Sequence, residues 1–162
     1  MPQSEIQLSR SLHQTHRGLK LALQALITER QMGELVKVTT GTDRLRRAKG
    51  ISFLNIPGAS LADRTTLFWM DAIEATGLMT LGSLSDFVKM FRDSHGQSRP
   101  DQRTVLLIYS DHRSEAYLPS TVVDNTIARL EIEYPCIYRT ANTVEDAAKV
   151  ILNYMHALHD MV

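Results

Sequence analysis

The residues best equipped for chemistry are few and scattered. Asp111, His112 and Arg113 directly follow an apolar run at 104–109. An acid, an imidazole and a guanidinium there could move a proton or hold an anion, because open α/β sheets bind ligands beyond the carboxyl ends of their strands. A polar connecting loop has the same composition. His156 and His159 stand three apart, a spacing that puts both on one helix face within reach of one metal ion. No carboxylate or thiol is evident to complete that set, so the pair reads as a solvated helix face and no metal is expected. Cys136, the single cysteine, opens an expected inner strand and reads as a small core residue. The densest charge lies in Arg44-Leu45-Arg46-Arg47-Ala48-Lys49, four cations in six residues. Arg44, Arg46, Arg47 and Lys49 are thus the candidate phosphate contacts, although no aromatic is interleaved for base stacking and a solvated loop would look alike. The chain has no phosphate loop, dinucleotide glycine fingerprint, Cys-x-x-Cys or His-Glu-x-x-His, and no cofactor is expected.

The elements that must position these residues follow from periodicity. Ile6, Leu12, Leu19, Leu23 and Leu26 suggest one long helix over 4–35, ended by Gly33. Strands are expected at 35–39 and 51–56, the second stopped by Pro57-Gly58. Residues 60–76 are ambiguous: Ser60 and Asp63 resemble a helix cap, whereas Thr65-Thr66-Leu67-Phe68-Trp69-Met70 has strand composition. A short strand at 78–81 and a helix over 83–94 come next. Thr104-Val105-Leu106-Leu107-Ile108-Tyr109 is an uninterrupted apolar run of the kind buried on both faces of a parallel sheet. Ser120 caps a helix that Pro135 stops, residues 136–139 form another strand, and Thr143 caps a last helix through His159. Strand, helix, strand and helix over 104–160 make a βαβα unit.

The 162 residues suit one domain, 1–162, and 43% hydrophobic with 22% charged residues is ordinary for a globular protein. Eighteen basic residues balance eighteen acidic ones, so contact with nucleic acid or membrane needs a local patch rather than a net field. The lone cysteine excludes an intramolecular disulfide and favours a reducing compartment. The first residues lack a basic start with an apolar run, and no stretch approaches the roughly 20 apolar residues that span a bilayer. An intracellular protein without membrane contact is expected.

Two stretches carry a family resemblance. Thr80-Leu81-Gly82-Ser83-Leu84-Ser85-Asp86-Phe87-Val88, followed by Val105-Leu106-Leu107-Ile108, is similar to the heart of the XPF-type structure-specific endonucleases. So is the tail, Leu118-Pro119-Ser120-Thr121 and then the run from Tyr138 to Ala148. In that family a strand ends in Glu-Arg-Lys before a serine-led helix start. Ser83, Leu84, Ser85, Asp86 and Phe87 match the helix start, but Thr80, Leu81 and Gly82 stand where Glu-Arg-Lys would be. The resemblance covers about residues 78–161. It implies a restriction-nuclease-like, three-layer α/β fold with a mostly parallel central sheet. It also implies an inactive, pseudo-nuclease member, because Thr-Leu-Gly supplies neither a metal-binding carboxylate nor a lysine beside the phosphate. Such members pair with a catalytic partner and help hold branched DNA in repair and recombination, in the nucleus where the cell has one.

The last helix supports pairing. Val144, Ala147, Ala148, Ile151, Leu152, Met155 and Leu158 recur at helical spacing, and Val150, Tyr154, Ala157 and Met161 make a second apolar face. Val150, Tyr154, Ala157 and Met161 are therefore the candidate partner contacts in a hetero- or homodimer, with burial inside the same chain as the other explanation. Two further readings stand beside the non-catalytic subunit. One is an α/β interaction or regulatory module without nucleic acid; the other is an enzyme working at Asp111 and His112.

Overall fold

The chain opens on a strand where its spacing predicts a helix. The computed structural model describes residues 3–41, 49–56, 65–71, 103–109, 136–160 and the single positions 74, 77, 86, 128, 131 and 132. Within it Ser4–Leu8 is β1, with Ser4, Ile6 and Leu8 buried and Glu5 and Gln7 turned to the other face. Two helices follow, α1 (Arg10–Thr15) and α2 (Gly18–Glu29). The expected helix over 4–35 is thus divided. Ile6 and Leu8 fit a two-residue period as well as a helical one, and pairing with two neighbouring strands decides for the strand. Ser9 then starts α1, its hydroxyl accepting from the Leu12 N–H.

The end of α2 also differs from expectation. Gln31, not Gly33, takes the left-handed conformation, at φ 56°. The Met32 N–H donates to the Ile27 carbonyl and the Gln31 N–H to that of Thr28, the paired closure of a Schellman motif. This turn feeds β2 (Val36–Thr40), close to the strand expected at 35–39.

The remaining strands are β3 (Lys49–Leu54), β4 (Thr65–Asp71), β5 (Arg103–Tyr109) and β6 (Cys136–Ala141), and the last helix is α3 (Val144–Asp160). The ambiguous stretch at 60–76 thus contains a strand, as the β-branched and aromatic residues at 65–70 favour. The Thr143 hydroxyl caps α3 by accepting from the Asp146 N–H, and Glu145 and Asp146 occupy its first turn, where the helix dipole favours them. The expected strand at 78–81 lies outside the described residues. So does most of the helix at 83–94, apart from Asp86, which is helical and exposed. The helix led by Ser120 is likewise outside them, except that Ala128, Glu131 and Ile132 are helical.

The strands form one six-stranded sheet in the order β2-β1-β3-β4-β5-β6. The pairs β1–β2, β4–β5 and β5–β6 are parallel, and β3 runs antiparallel to both its neighbours. A mostly parallel sheet with helices against it is the expected α/β architecture. Strands β5 and β6 pair in parallel and α3 follows, while most of the connection expected between them in the unit at 104–160 lies outside the described residues.

Both faces of the central strands are buried. Leu67, Trp69, Val105 and Leu107 join the core formed with Leu19 and Leu23 of α2 and Ile151 and Leu152 of α3. Phe68, Met70, Leu106 and Ile108 alternate with them and are buried as well, from 1% to 6% exposed. Two buried faces require three layers, which explains the unbroken apolar run of β5. Each such side chain contributes about 1.5–3 kcal/mol by leaving water.

Candidate functional site

The chemistry-bearing side chains meet at the carboxyl ends of the parallel strands. Asp71 is the last residue of β4 and sits in register with Tyr109, the last of β5. β3 runs the other way, so its first residue, Lys49, arrives at the same edge opposite Trp69. Lys49, Trp69, Asp71 and Tyr109 share the face covered by α2 and α3, because each is two or four residues from an inward-facing neighbour. His16 reaches them from the junction between α1 and α2, where it terminates α1.

One carboxylate organises this group. Asp71 Oδ1 accepts from His16 Nε2 at 2.8 Å and from the Trp69 indole N–H at 3.1 Å. Asp71 Oδ2 accepts from Lys49 Nζ at 2.5 Å, and the same ammonium reaches Glu74 Oε1 at 3.1 Å. Beneath the charges lies a triad of rings. His16 is 5.0 Å from Trp69 and 5.1 Å from Tyr109, and Trp69 stacks on Tyr109 at 4.9 Å. Trp69 and Tyr109 are buried, whereas the Asp71 side chain keeps 25% of its exposure.

The electrostatics follow from this geometry. Burial on its own raises the pKa of Asp71. The hydrogen bonds from His16, Lys49 and Trp69 and the charge on Lys49 outweigh it and hold the carboxyl well below the usual carboxylate range. Burial lowers that of Lys49, and the bonds and charges of Asp71 and Glu74 reverse the effect and raise it. An ionised carboxylate only accepts, so His16 Nε2 carries a proton. A carboxylate held this far below neutrality is a weak base, and an ammonium held above its ordinary value is a poor nucleophile. The cluster therefore suits electrostatic anchoring better than proton transfer. Among the described residues no three His, Cys, Asp or Glu side chains are grouped to hold a metal ion.

Of the candidate phosphate contacts, Lys49 is described, and its ammonium is committed to Asp71 and Glu74. Arg44, Arg46 and Arg47 lie outside the described residues. The run that carries them joins Thr40 of β2, paired with Leu8, to Lys49 of β3. Both attachment points are on the carboxyl edge. Asp111, His112 and Arg113 are also outside the described residues, as are Thr80, Leu81 and Gly82.

Of the candidate partner contacts, Val150, Tyr154 and Ala157 line a cavity of about 270 Å³ with Asn153 and Arg139. Val150 and Tyr154 are half-buried and pack against the core, and Ala157 is exposed. Met161 lies outside the described residues. Asn153 of this lining is tied to the end of α2 by the Arg30 guanidinium, which donates to Asn153 Oδ1 at 3.0 Å. His156 is exposed on the same helix. No helix among the described residues is long and apolar enough to cross a membrane.

Sequence reasoning missed His16, Trp69, Asp71, Glu74 and Tyr109. The rule that singled out Asp111 beyond β5 points equally to Asp71 at the end of β4, once 65–70 is read as a strand.

No protein-family model matches the chain, and no curated protein matches it in sequence. Solved structures do match in shape. XPF from Aeropyrum pernix superposes with a TM-score of 0.62 at 11% identity, over 97% of this chain and 60% of that one. The same protein in complex with DNA gives 0.61 at 10% identity, over 98% of this chain and 64% of that one. The chain thus spans less than two thirds of the proteins it matches, and at this identity the likeness concerns the fold. The six-stranded sheet and its helices have the XPF-like, restriction-nuclease-like fold.

Proposed function

We propose that the chain is a non-catalytic, nuclease-like subunit that pairs with a protein partner and helps hold branched DNA. The observation that carries the reading is Lys49. Its ammonium bridges Asp71 and Glu74 at the carboxyl edge, so the acids gathered there already share a cation from the chain itself. Thr80-Leu81-Gly82, in place of Glu-Arg-Lys, supports the same conclusion from the sequence. The DNA contact is proposed for Arg44, Arg46 and Arg47. In the sequence Arg47 stands two residues before Lys49. The partner surface is the outer face of α3 around Val150, Tyr154 and Ala157, extended by Met161.

The test is binding of a labelled DNA fork as a function of salt. Arg44→Ala, Arg46→Ala and Arg47→Ala together are expected to flatten the log–log salt dependence by up to about 2.7, since each phosphate contact in duplex DNA contributes about 0.9. An unchanged slope refutes the loop contact. A wild-type chain that binds no DNA at low salt leaves an interaction module, the alternative that the zero net charge favours.

A further inference from the structure

The α1–α2 segment carries cations that the proposed contact at 44–49 does not include. Between Glu5 and Glu29 the chain has Arg10, Arg17 and Lys20, with His13 and His16, and no acidic residue at all. Arg10 occupies the first position of α1, a helix with no acid in its first turn. The helix dipole disfavours a cation there, so helix stability does not account for its placement. Arg10 and Arg17 are both exposed, and the ion pairs among the described residues involve other side chains.

Two sets of bonds pin this segment to the base of the basic run. The Ser9 N–H donates to the Gly50 carbonyl at 2.9 Å, and the Gly50 N–H donates back to Ser9 Oγ at 3.0 Å. His16 binds the carboxylate that also holds Lys49. Arg10 adjoins Ser9 and Arg17 adjoins His16. Each arginine is therefore one residue from a group fixed to Gly50, or to the carboxylate that holds Lys49, where the run ends.

We propose that Arg10 and Arg17 form a second phosphate-binding element, which grips a nucleic-acid backbone from the α1–α2 segment, separate in sequence from the arginines at 44–47. This deepens the DNA-holding role proposed above and rests on it. The occupant follows from charge and shape. Guanidinium groups with no acidic partner among the described residues offer forked donors that match phosphate oxygens. Among the described residues, the Trp69 and Tyr109 rings beside His16 are buried and do not present a stacking surface, so the contact is with the backbone and is independent of sequence.

The experiment uses the full chain and a labelled DNA fork, titrated between about 50 and 200 mM salt. Arg10→Gln with Arg17→Gln is expected to lower the salt slope by up to about 1.8, at about 0.9 per contact, in addition to the loss from the three arginines at 44–47. Arg10→Lys with Arg17→Lys keeps the charge and is expected to keep the slope. Arg17 makes no side-chain capping bond, so Arg17→Gln alone, expected to remove about 0.9, gives the answer if the double variant is destabilised. An undiminished slope in the glutamine variants, with the triple variant still impaired, overturns the second element and leaves the first. Equal binding to phosphatidylserine vesicles, lost in the same variants, identifies a general anionic surface and overturns the nucleic-acid assignment. Absence of DNA binding by the wild type overturns both proposals.

Discussion

Asp71 receives hydrogen bonds from side chains of three different segments, and its energetics are the clearest at the residue scale. The fold favours its ionised form. Its contribution is therefore complete above the ordinary carboxylate range, near pH 4, and is lost as pH falls through the lower value it has in the folded chain. Lys49 behaves in the opposite sense: the contribution is complete below about pH 10 and is lost as pH rises through its raised value. Asp71 and Lys49 are therefore both charged across the neutral range. Asp71→Asn leaves the Lys49 ammonium, 12% exposed, with Glu74 alone. The expected cost is about 3 kcal/mol, from charged hydrogen bonds lost and a half-buried cation left underpaired. For a domain of this size that lowers Tm by about 6–12 °C. Lys49→Met should cost less, because Asp71 keeps two donors. Trp69 is the sole tryptophan and touches the cluster, so its fluorescence follows unfolding directly. Asp71→Asn should also lose the wild type's fall in stability below about pH 4; an identical acid limb in both proteins would remove Asp71 as the hub.

At the scale of elements, α2 ends on a residue poorly suited to its conformation. Gln31 holds φ 56°, which costs a side-chain-bearing residue about 1–2 kcal/mol. Gln31→Gly relieves that strain and loses about 0.4–1 kcal/mol through the greater freedom of the unfolded chain. A net gain of about 0.5 kcal/mol is expected in denaturant unfolding, and a loss of stability would show that the Gln31 side chain contributes more than its backbone strain. The outer face of α3 is the second element with a measurable consequence. Tyr154 is half-buried against the core and Ala157 is exposed. Tyr154→Glu with Ala157→Glu should abolish association with a partner while the chain stays folded, as sedimentation and circular dichroism together report. Loss of the fold in Ala157→Glu alone, at an exposed position, would place this face inside the chain's own packing.

For the whole molecule the expectation concerns activity. Purified chain should leave flaps, forks and four-way junctions uncut with Mg²⁺ or Mn²⁺, because the Asp71 and Glu74 carboxylates are already bridged by Lys49 and Thr80-Leu81-Gly82 offer no metal ligand. Cleavage that persists through purification and disappears in Asp71→Asn would show that a metal displaces the ammonium and that the chain is an enzyme. The same sheet edge would then be catalytic, since Lys49, Asp71 and Tyr109 come together only through strand register.

Much of the sheet was legible from local composition. β2, β3, β5 and β6 fall where apolar and β-branched runs predict them, and α3 begins at the Thr143 cap, because these signals act between near neighbours. The two-sided burial of β5 follows from an apolar run with no polar alternation. Strand β1 was not legible: Ile6 and Leu8 satisfy both periods, and the decision comes from β2 and β3, which pair with it across about 30 and 45 residues of chain. The site needed still more. Asp71 and Lys49 are 22 residues apart and His16 is 55 from Asp71, and no local pattern relates them. The sequence by itself determined β2, β3, β5 and β6 as strands and which cations lie near one another along the chain. Only the tertiary structure decided that an antiparallel strand brings Lys49 to the carboxyl end of β4, because hydrogen-bond register, unlike hydrophobic periodicity, is set between segments and not within them.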